Sequence, residues 1–525
     1  MKKLSILQPG NEHSGSTNIC QFILFRSTSC RGFFILIFLC FISFKLIGSS
    51  STVYDNNATI RQAHQYLYAL RPFSAEKLLK QEEIKNPGNG YVLFYRMYSE
   101  IISLTISNSP EQYKNKVSKL DEYVSKLEKL PDNAPDYRLL LGEAKVMTGL
   151  LNVKFGSKFS GLVECLKGYN LLEDNAKKYP QFKPDEKIPG IIKIGVAFMP
   201  PVLKFGVKLF GITSNPQAGL KNLSDFAVFA KGKSGYEEES YLFIMAAYKL
   251  MNQPEAAMKL VKKEMDGFKD IAVLNFFAAT ICLEANDAET ALLLLSRIEP
   301  GKIEIDLHAL LYLKGKAKLL RLDSDTDIPM ITFLKKSTGP DYRKAMLYDL
   351  ACFYYISGNS VKYSDYIQQV KVQGREFLSR DIEAAYEAKK LNPPNIYLLK
   401  AELLVRGGYC NNASIELSKA YKYGLTPDEK VEYYFLKGEC YRLGSLVIPA
   451  ETEYMKAVSF GKASGNYFAQ KALVQAGLMM EENGNRPGAE KYYNLCLEFN
   501  AATNPYSVLY TNKAKAGLIR LSLIK

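Results

Sequence analysis

The sequence predicts an all-α protein, a solenoid of stacked antiparallel helix pairs. Its 525 residues are too many for one compact core, which indicates several domains or a repeat architecture. Its composition, with 47% hydrophobic and 23% charged residues, is typical of a globular chain. One pattern of small and large residues recurs along most of the chain, and each copy has the length of a helical hairpin.

Residues 1–50 precede the first copy and are predicted to be a signal peptide. Four basic residues come before an apolar run from Phe33 to Phe44, which Lys45 interrupts ahead of small residues. This run is shorter than the about 20 apolar residues that a hydrocarbon core requires. We therefore expect export to the periplasm or secretion. The alternative is a retained membrane anchor over residues 33–47.

In the repeating pattern, a small anchor residue is followed by a large residue at +3, usually Gly or Asn at +7, Ala at +12, a large residue at +16 and a small residue at +19. Small residues let two antiparallel helices approach closely, and Gly or Asn at +7 suits the left-handed conformation that ends the first helix. One pair cannot bury its apolar stripe alone, so neighbouring copies are expected to stack. The anchors are Ala63, Gly149, Met245, Ala279, Gly315, Ala351, Ala401, Gly438 and Gly477.

The copies divide the chain into N-terminal helix pairs at 51–179 and a C-terminal array at 236–525, separated by residues 180–235 without a repeat. The segment 190–212 is apolar and is split by Met199-Pro200-Pro201. Because a double proline cannot sit inside a helix, two short helices are expected to meet there in an inserted apolar hairpin. We interpret the hairpin as a hydrophobic plug packed across the groove or between two stacks. The alternative is a hairpin that touches a membrane or binds lipid.

With these spacings the repeat resembles the tetratricopeptide repeat family, whose unit is 34 residues long. The anchors from 245 to 477 are separated by 34, 36, 36, 50, 37 and 39 residues. The chain has no Trp, and Tyr397 and Tyr434 stand in the aromatic slot that opens the first helix. Together with the predicted leader, the resemblance indicates an exported bacterial-type member of this family.

The resemblance implies a concave groove that binds another protein or a peptide, lined by first-helix positions around each anchor. Aromatic residues beside charged ones are typical of protein-binding hot spots. The alternative interpretation is that these side chains only solvate the groove. The predicted partner-binding residues are Tyr348, Tyr355, Leu398, Glu402, Phe435, Glu439, Arg442, Val474 and Glu481.

Motifs for chemistry are missing from the sequence, so we expect no catalytic residues, no cofactor and no metal site. The chain has three His residues and contains no H-E-x-x-H, no G-x-S-x-G and no complete dinucleotide fingerprint. The formal net charge is +14, but Lys and Arg are scattered in ones and twos, which argues against nucleic acid as a partner. The cysteines after the leader are expected to be buried free thiols rather than a disulfide framework.

The sequence therefore predicts a non-catalytic scaffold or adaptor of the cell envelope that binds a partner in the groove of a superhelix. The alternative is an envelope protein that binds lipid or a small ligand through the hairpin at 190–212. Nothing in the sequence names the partner.

Overall fold

The computed structural model describes residues 52–199, 207–208, 211–212, 214–233, 235–376, 378–500 and 505–523. Within these ranges the chain forms 24 α-helices and two short 3-10 turns, and no strand is present. The prediction of an all-α solenoid of stacked helix pairs is confirmed. The predicted signal peptide at 1–50 lies outside the described residues.

The first twelve helices run from the start of the described chain to residue 296. They are α1 Ala58–Tyr68, α2 Pro72–Lys85, α3 Gly90–Ser107, α4 Pro110–Glu128, α5 Pro135–Lys154, α6 Lys158–Lys178, α7 Lys187–Phe198, α8 Pro216–Ala230, α9 Tyr236–Leu250, α10 Pro254–Glu264, α11 Ala272–Glu284 and α12 Ala288–Ser296.

The remaining twelve helices complete the stack. They are α13 His308–Arg321, α14 Asp327–Lys336, α15 Arg343–Ile356, α16 Ser360–Val372, α17 Ser379–Glu387, α18 Ile396–Gly407, α19 Cys410–Tyr423, α20 Pro427–Leu443, α21 Val447–Gly461, α22 Tyr467–Glu482, α23 Arg486–Glu498 and α24 Pro505–Leu523.

The pattern predicts where each first helix ends. In all nine copies the residue at +7 has a positive φ and lies in the turn between the two helices of a pair, as a left-handed helix end requires. Leu and Ser occupy three of these positions, so the geometry of the turn holds even where glycine is absent. The nine residues are Leu70, Gly156, Asn252, Asn286, Leu322, Gly358, Gly408, Ser445 and Gly484.

The anchors make the close contacts within pairs. A Cβ atom added to Gly149 in α5 would come within 2.5 Å of the carbonyl oxygen of Gly161 in α6. A Cβ atom on Gly438 in α20 would come within 2.6 Å of the Tyr454 ring, which stands at +16 in the same copy. The small residue and the large residue of the pattern therefore pack against each other across the pair.

Three parts of the chain that the pattern does not cover also join the stack. Helices α3 and α4 form a further pair, and the 50-residue spacing between the anchors Ala351 and Ala401 accommodates the single helix α17. The last helix, α24, packs against α22, α23 and α17.

Only the first helix of the predicted apolar hairpin lies within the described residues. Helix α7 pairs with α8, where a Cβ atom on Gly219 would lie 2.6 Å from the carbonyl oxygen of Gly190. Every residue from Gly190 to Phe198 except Lys193 is buried. The predicted second helix and Pro200-Pro201 lie almost entirely outside the described residues. In the part of the chain that is described, no helix is both long enough and apolar enough to span a membrane.

A buried ion cluster fixes α7 between its neighbours. Lys187 Nζ lies 2.9 Å from a Glu143 carboxylate oxygen in α5 and 3.0 Å from a Glu239 carboxylate oxygen in α9. All three side chains are 0% exposed. Since a buried charge without a counter-charge is strongly destabilising, this contact sets how α7 sits against α5 and α9.

The C-terminal array folds back against the middle of the chain along a line of polar contacts that we call the seam. Arg442 in α20 pairs with Glu255 in α10 at 3.2 Å and donates to Asn286 at 3.4 Å. Asn286 in turn donates to the carbonyl oxygen of Val405 at 3.2 Å, and Tyr409 donates to Glu289 at 2.8 Å. These contacts bring α18 and α20 against α10–α12.

A large residue in place of the small residue at +12 is expected to separate a helix pair. Ala450 is 0% exposed, and its carbonyl oxygen lies beside Gly438. We expect Ala450→Leu to lower the free energy of unfolding by about 1–3 kcal/mol, because the added atoms have no space. Urea unfolding followed by circular dichroism measures this. Lys422→Leu, on the exposed face of α19, is the control, and equal losses in the two variants would contradict the assigned packing.

Removal of the arginine at the seam is expected to loosen the contact between α20 and α10. Its side chain is 10% exposed, so Arg442→Ala leaves the carboxylates of Glu255 and Glu439 without their cation and costs about 1–3 kcal/mol. Hydrogen exchange should speed up in α10–α12 more than in α5 and α6, which are far from the seam in the stack. Uniform acceleration over the whole chain would contradict a local role for Arg442.

Candidate functional site: a charged and aromatic groove

The C-terminal array and the middle helices enclose a groove of about 700 Å³. Helices α9–α11 form one wall, while α15, α17, α18, α20, α22 and α24 form the rest. This volume is within the range of ligand-binding clefts in proteins. The closure at the seam makes the groove, because it brings α9–α11 opposite α18, α20, α22 and α24, which are more than 100 residues later in the chain.

Aromatic rings line one side of the groove. Tyr467 and Tyr506 stack with ring centroids 4.2 Å apart, and Tyr386 meets Tyr506 edge to face at 5.7 Å. Phe435 packs against Phe468 at 5.5 Å. Rings held against one another in this way give a firm apolar surface with little conformational freedom to lose on binding.

Most charged side chains in the groove are paired. Lys390 lies 2.6 Å from Glu387, and Arg380 lies 2.6 Å from Glu383. Glu439 is held by Arg442 at 3.1 Å, and it also accepts hydrogen bonds from Gln475 at 3.1 Å and from the hydroxyl of Tyr454. These carboxylates have their partners within the protein and are less available to a ligand.

Five charged residues of the groove lining form no ion pair with any residue that the structure describes: Asp428, Glu429, Glu432, Lys471 and Lys513. Asp428 accepts a hydrogen bond from Asn466 and Glu429 accepts one from Asn395, which leaves Lys471, Lys513 and Glu432 as the groups of interest. Lys471 lies over the Phe435 ring at 4.5 Å. Burial lowers the pKa of the Lys471 and Lys513 amines. Burial, assisted by the nearby charge of Glu402, raises the pKa of Glu432 to about 8. The groove therefore holds two desolvated amines and one desolvated carboxyl group.

The structure places four of the nine sequence-predicted residues in the groove lining: Tyr348, Glu402, Phe435 and Glu439. Tyr355 lies at its edge, where its hydroxyl donates to the carbonyl oxygen of Pro394 at 3.1 Å. These five positions come from three successive repeat units, so the family's offsets bring residues from different units together.

The other four predicted residues lie elsewhere. Leu398 and Val474 are 1% and 2% exposed and belong to the apolar cluster that includes Leu509 of α24. Because α24 packs on α22, these side chains face other helices instead of the groove. Arg442 lies at the seam, and Glu481 pairs with Arg520 at 2.7 Å.

Several lining residues have no counterpart in the sequence prediction. Lys249 and Glu284 come from the middle helices, and Tyr506, Tyr510 and Lys513 come from α24. The spacing of these last three residues, i, i+4 and i+7, places them on one face of a helix and could have indicated a shared surface. Nothing local to the sequence indicates that this face meets the groove.

Comparison with known proteins does not assign the chain to a family. No family model matches the chain, and no curated protein matches it. Chains among the solved structures do match, and one of them is the apo form of the quorum sensor NprR from B. thuringiensis. It shares 14% identity over 84% of this chain and 97% of that chain, with a TM-score of 0.25. The fold described above therefore rests on this chain's own helices and contacts.

The carboxyl group of Glu432 is expected to make stability depend on pH. Its folded-state pKa of about 8 is above its ordinary value of about 4.3, so the folded protein retains a proton that the unfolded chain releases. This contribution to stability is complete below about pH 4 and is lost as the pH rises to about 8. The free energy of unfolding of Glu432→Gln should be closer to that of the wild type at pH 5 than at pH 8.5. At pH 8.5 the variant should be the more stable protein.

Urea midpoints at the two pH values test this difference. Glu490→Gln, a change to an exposed carboxylate on α23, serves as the matched control and should follow the wild type at both pH values. A constant offset between Glu432→Gln and the wild type across the pH range would contradict a desolvated carboxyl group at position 432.

Proposed function

We propose that this protein is a non-catalytic scaffold or adaptor that binds a peptide, or an extended segment of another protein, in the groove between α9–α11 and α15–α24. One observation carries the proposal: the amines of Lys471 and Lys513 and the carboxyl group of Glu432 are half-buried and have no ion-pair partner among the described residues, in a cleft lined by aromatic rings. A partner that supplies the missing counter-charges would remove an energetic cost that the free protein bears.

A peptide fits these features better than a ligand that carries only one kind of polar group. The two amines favour an anionic group on the ligand, whereas the protonated carboxyl group of Glu432 can donate a hydrogen bond to the ligand or ionise beside a cationic group, and peptides offer all of these groups on one chain. The rings of Tyr467, Tyr506 and Phe435 offer contact area to apolar side chains between those charges. A volume of about 700 Å³ accommodates a short segment and excludes a folded domain.

Membership in the tetratricopeptide repeat family is part of the proposal. Its support is the sequence resemblance together with nine helix pairs whose +7 residues are left-handed and whose anchors lie in the first helix. A setting in the cell envelope is also proposed. It rests on the predicted signal peptide at 1–50.

The lipid-binding alternative has less support. Residues 190–198, which would have to meet a membrane, have their apolar side chains in the core between α7 and its neighbours. A hairpin that inserts into lipid needs such side chains on the surface. We therefore retain the groove, and not the segment 190–212, as the binding site.

Selection from a random peptide library tests the proposal. We expect the purified mature chain to enrich peptides that carry both acidic and basic residues. Fluorescence anisotropy with a selected peptide should show at least about a tenfold loss of affinity in the variant Lys471→Glu, Lys513→Glu, because each replacement puts like charge where the ligand's anionic group binds.

The matched control reverses two exposed lysines, Lys422→Glu and Lys491→Glu, and should bind as the wild type does. Circular dichroism establishes that both variants are folded. Unchanged affinity in the groove variant, or no enrichment at all, would refute this assignment.

A further inference from the structure

Cys410 and Cys440 are brought together by the packing of α19 on α20. Cys440 Sγ lies 3.9 Å from the backbone carbonyl oxygen of Cys410, which is only two covalent bonds from the Cα atom of that residue. Both residues are half-buried, so a small molecule can reach them from solvent. This proximity and this exposure favour a disulfide between the two helices.

The surroundings of Cys410 favour its thiolate form. It is the first residue of α19, and the preceding residue, Tyr409, provides no side-chain cap, so the amide groups of the first turn stay available to a negative charge. The hydrogen bond from Cys440 lowers the pKa of the Cys410 thiol. A thiolate is the form of cysteine that attacks a disulfide.

The other cysteines of the described chain differ. Cys282, Cys352 and Cys496 are buried, and burial raises the pKa of each of these thiols to about 12. Burial also raises the pKa of Cys165, which lies in the close contact between α5 and α6 beside Gly149. Thiols of this kind react slowly, so the pair at 410 and 440 stands apart from them.

We propose that Cys410 and Cys440 are a modification site that closes to an intrachain disulfide by exchange with a small-molecule disulfide such as glutathione disulfide. The Cys410 thiolate attacks one sulfur of glutathione disulfide, a mixed disulfide forms, and one glutathione thiolate leaves. Cys440 then loses its proton to solvent and attacks the Cys410 sulfur, which expels the second glutathione thiolate. The protein is oxidised by two electrons, and glutathione disulfide is reduced to two thiols.

The position of the pair connects it to the seam and to the groove. Cys440 follows Glu439, which lines the groove, and precedes the seam residue Arg442 by two positions. Cys410 follows Tyr409, whose hydroxyl donates to Glu289 across the seam. A bond between the two sulfur atoms would hold the start of α19 and the end of α20 in the arrangement that closes the groove. This regulatory role rests on the proposed binding function, whereas the disulfide itself does not.

Exchange with glutathione tests the chemistry. The reduced full-length mature protein is equilibrated with mixtures of glutathione and glutathione disulfide, and free thiols are then blocked with N-ethylmaleimide before digestion and mass spectrometry. We expect one cross-linked peptide pair that contains Cys410 and Cys440 and is two hydrogen atoms lighter than the sum of its parts. In Cys440→Ser the expected product is glutathione attached to Cys410. Cys282→Ser and Cys496→Ser should retain the cross-link.

Cross-links that involve other cysteines, or glutathione attached to both positions without a bridge, would overturn the proposal.

For the regulatory role, amides of α10–α12 should exchange about tenfold more slowly in the oxidised wild type than in the reduced one, with no such change in Cys440→Ser. Unchanged exchange would overturn that role alone. If the disulfide forms but the protein selects no peptides, the binding function is refuted and the modification site stands. If the protein selects peptides but no disulfide forms, the modification site is refuted and the binding function stands.

Discussion

Two antiparallel helices can bury their apolar stripes only if their backbones come close, and the smallest residue at the crossing decides how close they come. In this protein that residue is Gly149 against Gly161 in one pair and Gly438 against the Tyr454 ring in another. The stack depends on this distance in every unit, because each pair must present an outer surface of the right curvature to the next. The seam and the groove exist only if that curvature brings α18 and α20 back to α10–α12.

Much of the helix pairing could be predicted, since the small and large residues that pack together lie within one copy of about 20 residues. The left-handed +7 position holds even at Leu70 and Leu322, where the residue type alone would not predict it. The rest depends on contacts between distant segments. Val474 shares an apolar cluster with Leu509 of α24, and Lys249 and Lys513 line the same groove. Both facts follow from the curvature of the whole stack, on which no single copy carries information.

Lysines in the core and in the groove have different environments in this molecule. Lys187 lies between the carboxylates of Glu143 and Glu239, and its charge is fully compensated by the fold. Lys471 and Lys513 face the groove, where desolvation disfavours their charge and no described carboxylate forms an ion pair with them. The first arrangement stabilises the packing of α7. The second costs free energy unless a ligand supplies the counter-charge, which is the physical basis for placing a partner here.

The most direct test of this account is photo-cross-linking in intact cells, with a photoreactive phenylalanine analogue in place of Tyr386 in the groove or, as a control, of the exposed Phe159 on α6. We expect position 386 to become covalently attached to a specific protein or peptide, and Lys471→Glu with Lys513→Glu to remove this adduct, while position 159 gives none. An adduct at position 159 without one at position 386 would contradict a partner site in the groove. An adduct at position 386 that survives both charge reversals would contradict it as well.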